Sequence, residues 1–107
     1  MAGTLRRVHG PAQVSNAAAT KYTVGTGIRG ILRHIHLQNP SGSPVTFTMS
    51  IGADAAATRI FDAYSIAANS YVDFWGPYTL AAAEIVQALA GTNNILVLTI
   101  DAEEQLV

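Results

Sequence analysis

The pattern of apolar and polar positions predicts a chain of short β-strands. The segment 45–51 (VTFTMSI) alternates strictly, with apolar residues at each odd position and threonine or serine at each even position. A period of two residues is typical of a strand with one buried face and one solvated face. We therefore expect the apolar side chains of 45–51 in the core and the hydroxyl side chains at 46, 48 and 50 in water.

A second strand-like run, 31–38, precedes this segment and alternates less cleanly. Ile35 and Leu37 share one face, while Leu32, His34 and His36 share the other. The link between the two runs, NPSGSP, contains two prolines and a glycine, which end both runs. We predict that the two runs form a hairpin at the centre of the domain.

Further strand-like runs recur at intervals of about 8–12 residues, each bounded by turn residues. They are 1–14, 20–24, 58–64, 71–75 and 94–101. The glycine and proline at 76–77 predict the end of the run 71–75, and residues 102–107 read as an acidic and then apolar tail.

The segment 79–90 (TLAAAEIVQALA) is ambiguous, because alanine, leucine, glutamate and glutamine favour helix whereas 85–90 also alternates as a strand would. A turn at 91–93 would pair 85–90 with 94–101, which favours strand. About eight short strands predict an all-β fold, an antiparallel β-sandwich of jelly-roll-like form. We divide the chain into an N-terminal arm with the first strand (1–14) and a single β-sandwich domain (15–107).

The composition of the chain argues against some classes of function and for contact with other subunits. Only 12% of the residues are charged, against about 25% in typical soluble domains. We infer that partner subunits cover part of the surface. The few scattered basic residues form no patch of the kind that binds nucleic acid, and no apolar run is long enough for a membrane span or a signal peptide. We expect synthesis in the cytosol, no nucleic-acid partner and no membrane partner.

His34 and His36 form the one pair with metal-ligand spacing, because residues two apart on a strand point to the same face. A third ligand would have to come from His9 or from symmetry-related copies of the pair. The favoured interpretation is two histidines on a solvent or interface face, near Asp62 or Asp73, with no metal and no cofactor.

Aromatic residues concentrate at 71–78, where Tyr71, Asp73 and Trp75 share one strand face. Such a face can stack on a sugar ring, although packing in the core and at interfaces is the favoured interpretation. Motifs of hydrolases, such as a nucleophile elbow before a helix, are missing from the sequence. We therefore predict no catalytic residues and no enzymatic activity.

The order of segments resembles the small virion proteins of tailed phages. It runs through LRRVHGPAQV, YTV, ILRHIHLQNPSGSPVTFTMSIGADAAATRIFDAYSIAANS, AAEIVQALA and NILVLTID. The resemblance is strongest to short minor tail proteins of phages of actinobacteria and covers nearly the whole chain. It implies a non-enzymatic β-sandwich that assembles as a homo-oligomer, a trimer or hexamer, with other virion proteins.

The resemblance also implies a location in the virion after assembly in the host cytoplasm. A capsid decoration protein and a receptor- or carbohydrate-binding module are the alternatives. As contact residues we expect those of the two terminal segments: Leu5, Arg6, Arg7, Val8, Leu106 and Val107.

Overall fold

A computed structural model describes residues 3–107, which fold into eight β-strands. The strands are β1 (Thr4–Gln13), β2 (Ala19–Thr23), β3 (Ile28–Asn39), β4 (Val45–Ile51), β5 (Arg59–Ile66), β6 (Ser70–Leu80), β7 (Ile85–Ala90) and β8 (Val97–Leu106). The ambiguous segment is thus strand β7. No helix of the described residues is long and apolar enough to cross a membrane.

The strands form two antiparallel sheets of four strands each. Sheet A has the order β1-β8-β3-β6, and sheet B has the order β2-β7-β4-β5. Every pairing within them is antiparallel. The fold is therefore a β-sandwich of jelly-roll type, as the spacing of strands predicts.

The predicted hairpin of 31–51 is wrong. β3 pairs with β6 and β8 in sheet A, whereas β4 pairs with β5 and β7 in sheet B. The predicted pairing of β7 with β8 is wrong for the same reason, because these strands also lie in different sheets. Among residues 3–107, β4 and β5 are the one pair of consecutive strands that are also neighbours in a sheet.

Asn39 holds the crossing from β3 to β4. Its side chain is buried, and its amide nitrogen donates to the carbonyl oxygens of Ser43, Ile66 and Ala67 at 2.9–3.2 Å. Its amide oxygen accepts from the backbone N–H and the hydroxyl of Ser41 at 3.1 and 2.7 Å. The turn-rich link therefore connects the two sheets around one buried side chain.

The assignment of faces on β3 also needs correction. The register against both neighbouring strands shifts between Leu32 and His34, which marks a bulge at Arg33. Because one residue is inserted there, Leu32 lies in the core together with Ile35 and Leu37, while His34 and His36 lie on the outer face.

The polar face of β4 is not solvated as the alternation predicts. Thr48 and Ser50 are buried, and each forms a hydrogen bond with the part of the chain that follows β4. The Ser50 hydroxyl donates to Asp54 at 2.9 Å, and the Thr48 hydroxyl accepts from the backbone N–H of Ala63 at 3.0 Å. These two hydroxyl groups therefore form hydrogen bonds with polar atoms of the chain instead of with water.

Two strands are longer than the sequence predicts. β6 continues through Gly76 and Pro77 to Leu80, and β8 includes most of the predicted tail. β6 is an edge strand, where a residue without an N–H is tolerated. The acidic residues 103–104 thus belong to a paired strand.

The core lies between the sheets. Its largest fully buried side chains come from both sheets and from three connecting segments: Phe47, Leu32, Ile35, Leu37, Met49, Leu80, Leu96, Leu98, Ile100, Val14, Val24 and Val86. An aromatic group extends the core toward β5 and β6, where the rings of Phe61 and Phe74 lie 4.1 Å apart. This packing fixes which face of β6 points outward.

Candidate functional site on the outer face of sheet A

The pairing of β3 with β6 brings together the two sets of residues that the sequence singles out. His34 lies opposite Trp75, and His36 lies opposite Asp73. On β6 the residues Tyr71, Asp73 and Trp75 alternate with the inward-packed Val72 and Phe74. The candidate ligands and the candidate aromatic platform are therefore one site.

His34, His36 and Asp73 form a histidine–aspartate cluster. The Nε2 atom of His34 and the Nδ1 atom of His36 each lie 2.7 Å from the same oxygen, Oδ1 of Asp73. An ionised carboxylate only accepts hydrogen bonds, so both ring nitrogens donate to it. The hydrogen bonds from His36 and from His34 hold the pKa of the Asp73 carboxyl below its ordinary value.

A second carboxylate approaches the cluster from β8. Asp101 lies opposite His34 in the sheet, and its Oδ2 atom is 3.7 Å from Nδ1 of His34. The His34 ring therefore has a carboxylate near each of its nitrogens. No sequence pattern points to Asp101, because the pairing of β3 with β8 is what places it next to His34.

Two aromatic rings flank the cluster. The Trp75 ring stacks on His34 with 4.1 Å between the ring centroids and 11° between the ring planes. The Tyr71 ring lies 5.5 Å from His36. Trp75 and Tyr71 remain 69% and 67% exposed, so each ring offers a free surface to a partner.

A shallow depression lies beside Tyr71 at the end of β3. Its volume is about 320 Å³. Polar side chains and one proline line it together with the tyrosine: Gln38, Asn39, Pro40, Asn69, Ser70 and Tyr71. The depression extends the aromatic face by a region with hydrogen-bonding groups.

Among the described residues, His9 and Asp62 lie outside the histidine–aspartate cluster. His9 lies on β1, where burial and then the charge of Lys21 lower the pKa of its imidazole. Asp62 forms an ion pair with Arg59 on β5 at 3.1 Å. The carboxylate that meets the two histidines is Asp73.

The terminal contact candidates lie at one end of sheet A, where the start of β1 pairs with the end of β8. Leu5, Leu106 and Val107, which we call the terminal apolar patch, are between 63% and 74% exposed; Leu5 shares a face of the sheet with Glu103, whereas Leu106 lies on the opposite face with Glu104. Arg7 is also exposed, whereas Val8 packs against the core. The patch is thus apolar surface that the folded chain leaves uncovered.

Arg6, the remaining terminal candidate, joins a polar network that sequence reasoning missed. Its guanidinium donates to Glu104 at 2.9 Å, and the Tyr22 hydroxyl donates to the same carboxylate at 2.5 Å. Burial, followed by the hydrogen bond to Glu104, raises the pKa of the Tyr22 hydroxyl above its ordinary value. The network links β2 of sheet B to β8 and β1 of sheet A.

Comparison by sequence finds no relatives, since no family model matches the chain and no curated protein matches it. Comparison of structures does find relatives of the fold. A structure of Bacillus endospore appendages, which form disulfide-linked pili, aligns with a TM-score of 0.58 and 17% identity, over 99% of this chain and 89% of that chain.

The capsid of Helicobacter pylori bacteriophage KHP30 aligns with a TM-score of 0.54 and 15% identity, over 95% of this chain and 94% of that chain. A chain of infectious bursal disease virus strain Gx aligns with a TM-score of 0.53 and 10% identity, over 97% of this chain but 32% of the viral chain. At identities this low, the likeness establishes the fold. The present sequence has no cysteine, so it cannot form the disulfide links of the pili.

Proposed function

We propose that the protein is a non-enzymatic structural subunit of a phage virion, and that it acts by packing against copies of itself and other virion proteins. The observation that carries this proposal is the eight-strand jelly roll, which matches a phage capsid chain over nearly the full length of both. The Bacillus pili, a second assembly of repeated subunits, support it. The resemblance of the sequence to short minor tail proteins favours a place in the tail.

The terminal apolar patch supports a second copy of this chain as a partner. Leu5, Leu106 and Val107 each expose most of their apolar surface at the same end of sheet A, with Leu5 on one face of the sheet and Leu106 on the other. Burial of a leucine side chain contributes about 1.5–3 kcal/mol, so a contact between copies through this patch would be favourable. The low proportion of charged residues agrees with a surface that subunits cover.

Light scattering on the purified protein tests self-association through the patch. We expect a discrete oligomer, a trimer or hexamer, for the wild type. The double substitution Leu5→Ser and Leu106→Ser should shift the mass toward the monomer at equal concentration, because it removes apolar area from the contact. The circular dichroism spectrum should not change, since both side chains are exposed.

Tyr64→Ser is the control, because Tyr64 is also exposed but lies on β5 of sheet B, outside the patch and outside the candidate site. It should leave the mass unchanged. A monomeric wild type, or an oligomer that the double substitution leaves intact, would contradict assembly of copies through this patch.

The position of the protein in the particle distinguishes a minor tail protein from a capsid decoration protein. The likeness to a phage capsid chain supports the second candidate. Cryo-electron microscopy of phage particles should show the eight-strand domain in the tail if the tail proposal is correct. Density for the domain on the capsid shell would replace it with the decoration function.

Carbohydrate binding is a further candidate, because Trp75 and Tyr71 are both exposed on one face with Asp73 between them. Aromatic rings at this spacing offer two stacking surfaces, and the depression beside Tyr71 adds polar groups. A glycan array with the wild type and Trp75→Ala tests this function. Binding should fall with the substitution, and a wild type that binds no glycan removes the candidate.

A further inference from the structure

We propose that His34, His36 and Asp73 form a binding site for a divalent transition-metal ion such as Zn²⁺. The proposal is independent of the proposed function, since it depends only on the side chains of the histidine–aspartate cluster. Each residue offers one ligand atom, and these three atoms lie within 4.8 Å of one another.

The main support for the proposal is that the rings of His34 and His36 converge on one point. Nε2 of His34 and Nδ1 of His36 point at one carboxylate oxygen, at 2.7 Å each. The two rings are therefore already aimed at a common point next to Asp73. Zinc binds imidazole nitrogen at about 2.0–2.1 Å and carboxylate oxygen at about 2.0–2.2 Å, so an ion between the three atoms requires only a modest rotation of these half-buried side chains.

The set of ligands selects the class of metal. Two imidazoles and one carboxylate suit zinc and neighbouring transition metals, whereas magnesium and calcium prefer oxygen ligands alone. Three protein ligands leave at least one coordination position for water or for a group of a partner molecule. The site is on an outer face, so that position is open to solvent or to a neighbouring subunit.

Asp101 supplies the outer support that metal-bound histidines usually have. When a metal takes Nε2 of His34, the proton of the neutral ring must reside on Nδ1, which faces Asp101 Oδ2 at 3.7 Å. A small closure of this gap gives a hydrogen bond that holds the ring in the metal-binding tautomer. On the ring face, Trp75 stacks on His34 and restricts its rotation.

Trp75 makes the test direct, because it is the only tryptophan of the chain and its ring lies 4.1 Å from that of His34. Co²⁺ or Cu²⁺ bound to His34 should quench the tryptophan fluorescence of the chelator-treated protein in a saturable titration with one ion per chain. Zn²⁺ does not quench in this way and should restore the fluorescence by competition. Isothermal titration with Zn²⁺ alone gives the dissociation constant.

His34→Ala and His36→Ala should each weaken Zn²⁺ binding at least about tenfold, and Asp101→Asn should weaken it by about tenfold through the support it gives His34. Asp62→Asn is the matched control, an exposed carboxylate outside the cluster that should leave the affinity unchanged. Circular dichroism checks that each variant is folded.

Two outcomes would overturn the proposal. A wild type that shows no saturable quenching and no heat of Zn²⁺ binding up to millimolar metal excludes the site without use of any variant. Binding that both histidine substitutions leave unchanged would place the ion elsewhere on the protein.

Discussion

At the scale of single residues, Tyr22 shows how a polar contact can hold the two sheets together. It lies on β2 with its ring in the core, and its hydroxyl reaches Glu104 on β8 of the opposite sheet. Gly30 on β3 leaves the space for this ring, since a Cβ atom there would lie 3.0 Å from the Tyr22 hydroxyl. The contact therefore depends on three strands at once.

We predict that Tyr22 makes the protein sensitive to alkaline pH. Burial and the Glu104 carboxylate raise the pKa of the folded tyrosine above the unfolded value of about 10. The folded state keeps the phenol proton more tightly, so this contribution to stability is fully present below about pH 10 and is lost as the pH rises toward the folded pKa. Urea denaturation at pH 7 and above pH 10 measures the loss.

Tyr22→Phe is the test variant. It should cost about 2 kcal/mol of unfolding free energy at pH 7, because it removes a hydrogen bond to a charged group. When the pH is raised from 7 to above 10, the unfolding free energy of the variant should fall less than that of the wild type. An equal alkaline loss in both proteins would show that Tyr22 is not the group responsible.

At the scale of elements, two strands of sheet A contain a Gly-Pro sequence at an irregularity in the pairing, and one of them, β6, helps to build the site. β1 and β6 each run through such a sequence without ending, at Gly10-Pro11 and Gly76-Pro77. At Gly76 a Cβ atom would overlap the carbonyl oxygen of Leu32 on β3. Glycine there allows the edge strand to lie against β3, and this register places Asp73 next to His36.

We predict that Gly76→Ala lowers the unfolding free energy by more than about 2 kcal/mol, because backbone atoms of two paired strands would have to separate. Gly42→Ala is the matched control, since nothing lies within 4 Å of a Cβ atom at that position. It should change the stability by less than about 0.5 kcal/mol. Denaturant unfolding of both variants checks the pair, and a neutral Gly76→Ala would contradict the close approach.

At the scale of the whole molecule, β1 has the position of a structural strand. It pairs with β8 from Thr4 to Gln13, and Val8 packs against the core. β8 lies between β1 and β3, so loss of β1 would turn β8 into an edge with unpaired N–H and C=O groups. The same loss would uncover apolar surface of the core.

We therefore predict that a chain without residues 1–13 aggregates or fails to fold. Size-exclusion chromatography and circular dichroism on the refolded chain measure the outcome. The Leu5→Ser variant, which keeps the strand and changes only an exposed side chain, should remain folded. A truncated chain with the wild-type spectrum and a single sharp elution peak would show that residues 1–13 act as a detachable arm.

Some features of the candidate site could be predicted from the sequence, and others could not. The two histidines share a face because residues two apart on a strand always do, and the same rule places Asp73 between Tyr71 and Trp75. The contact of Asp73 with both histidines required the pairing of β3 with β6 in the observed register. The contribution of Asp101 required the pairing with β8 as well.

The sequence by itself determined the strands and the class of fold, because alternation and turn residues act over a few neighbouring positions. It did not determine the partners of the strands, since hydrogen bonding between strands is the same whichever strand supplies it. The closure of two sheets around one core decided those partners, and it separated β3 from β4 and β7 from β8. It also buried Thr48 and Ser50 and brought the histidine–aspartate cluster together on the outer face of sheet A.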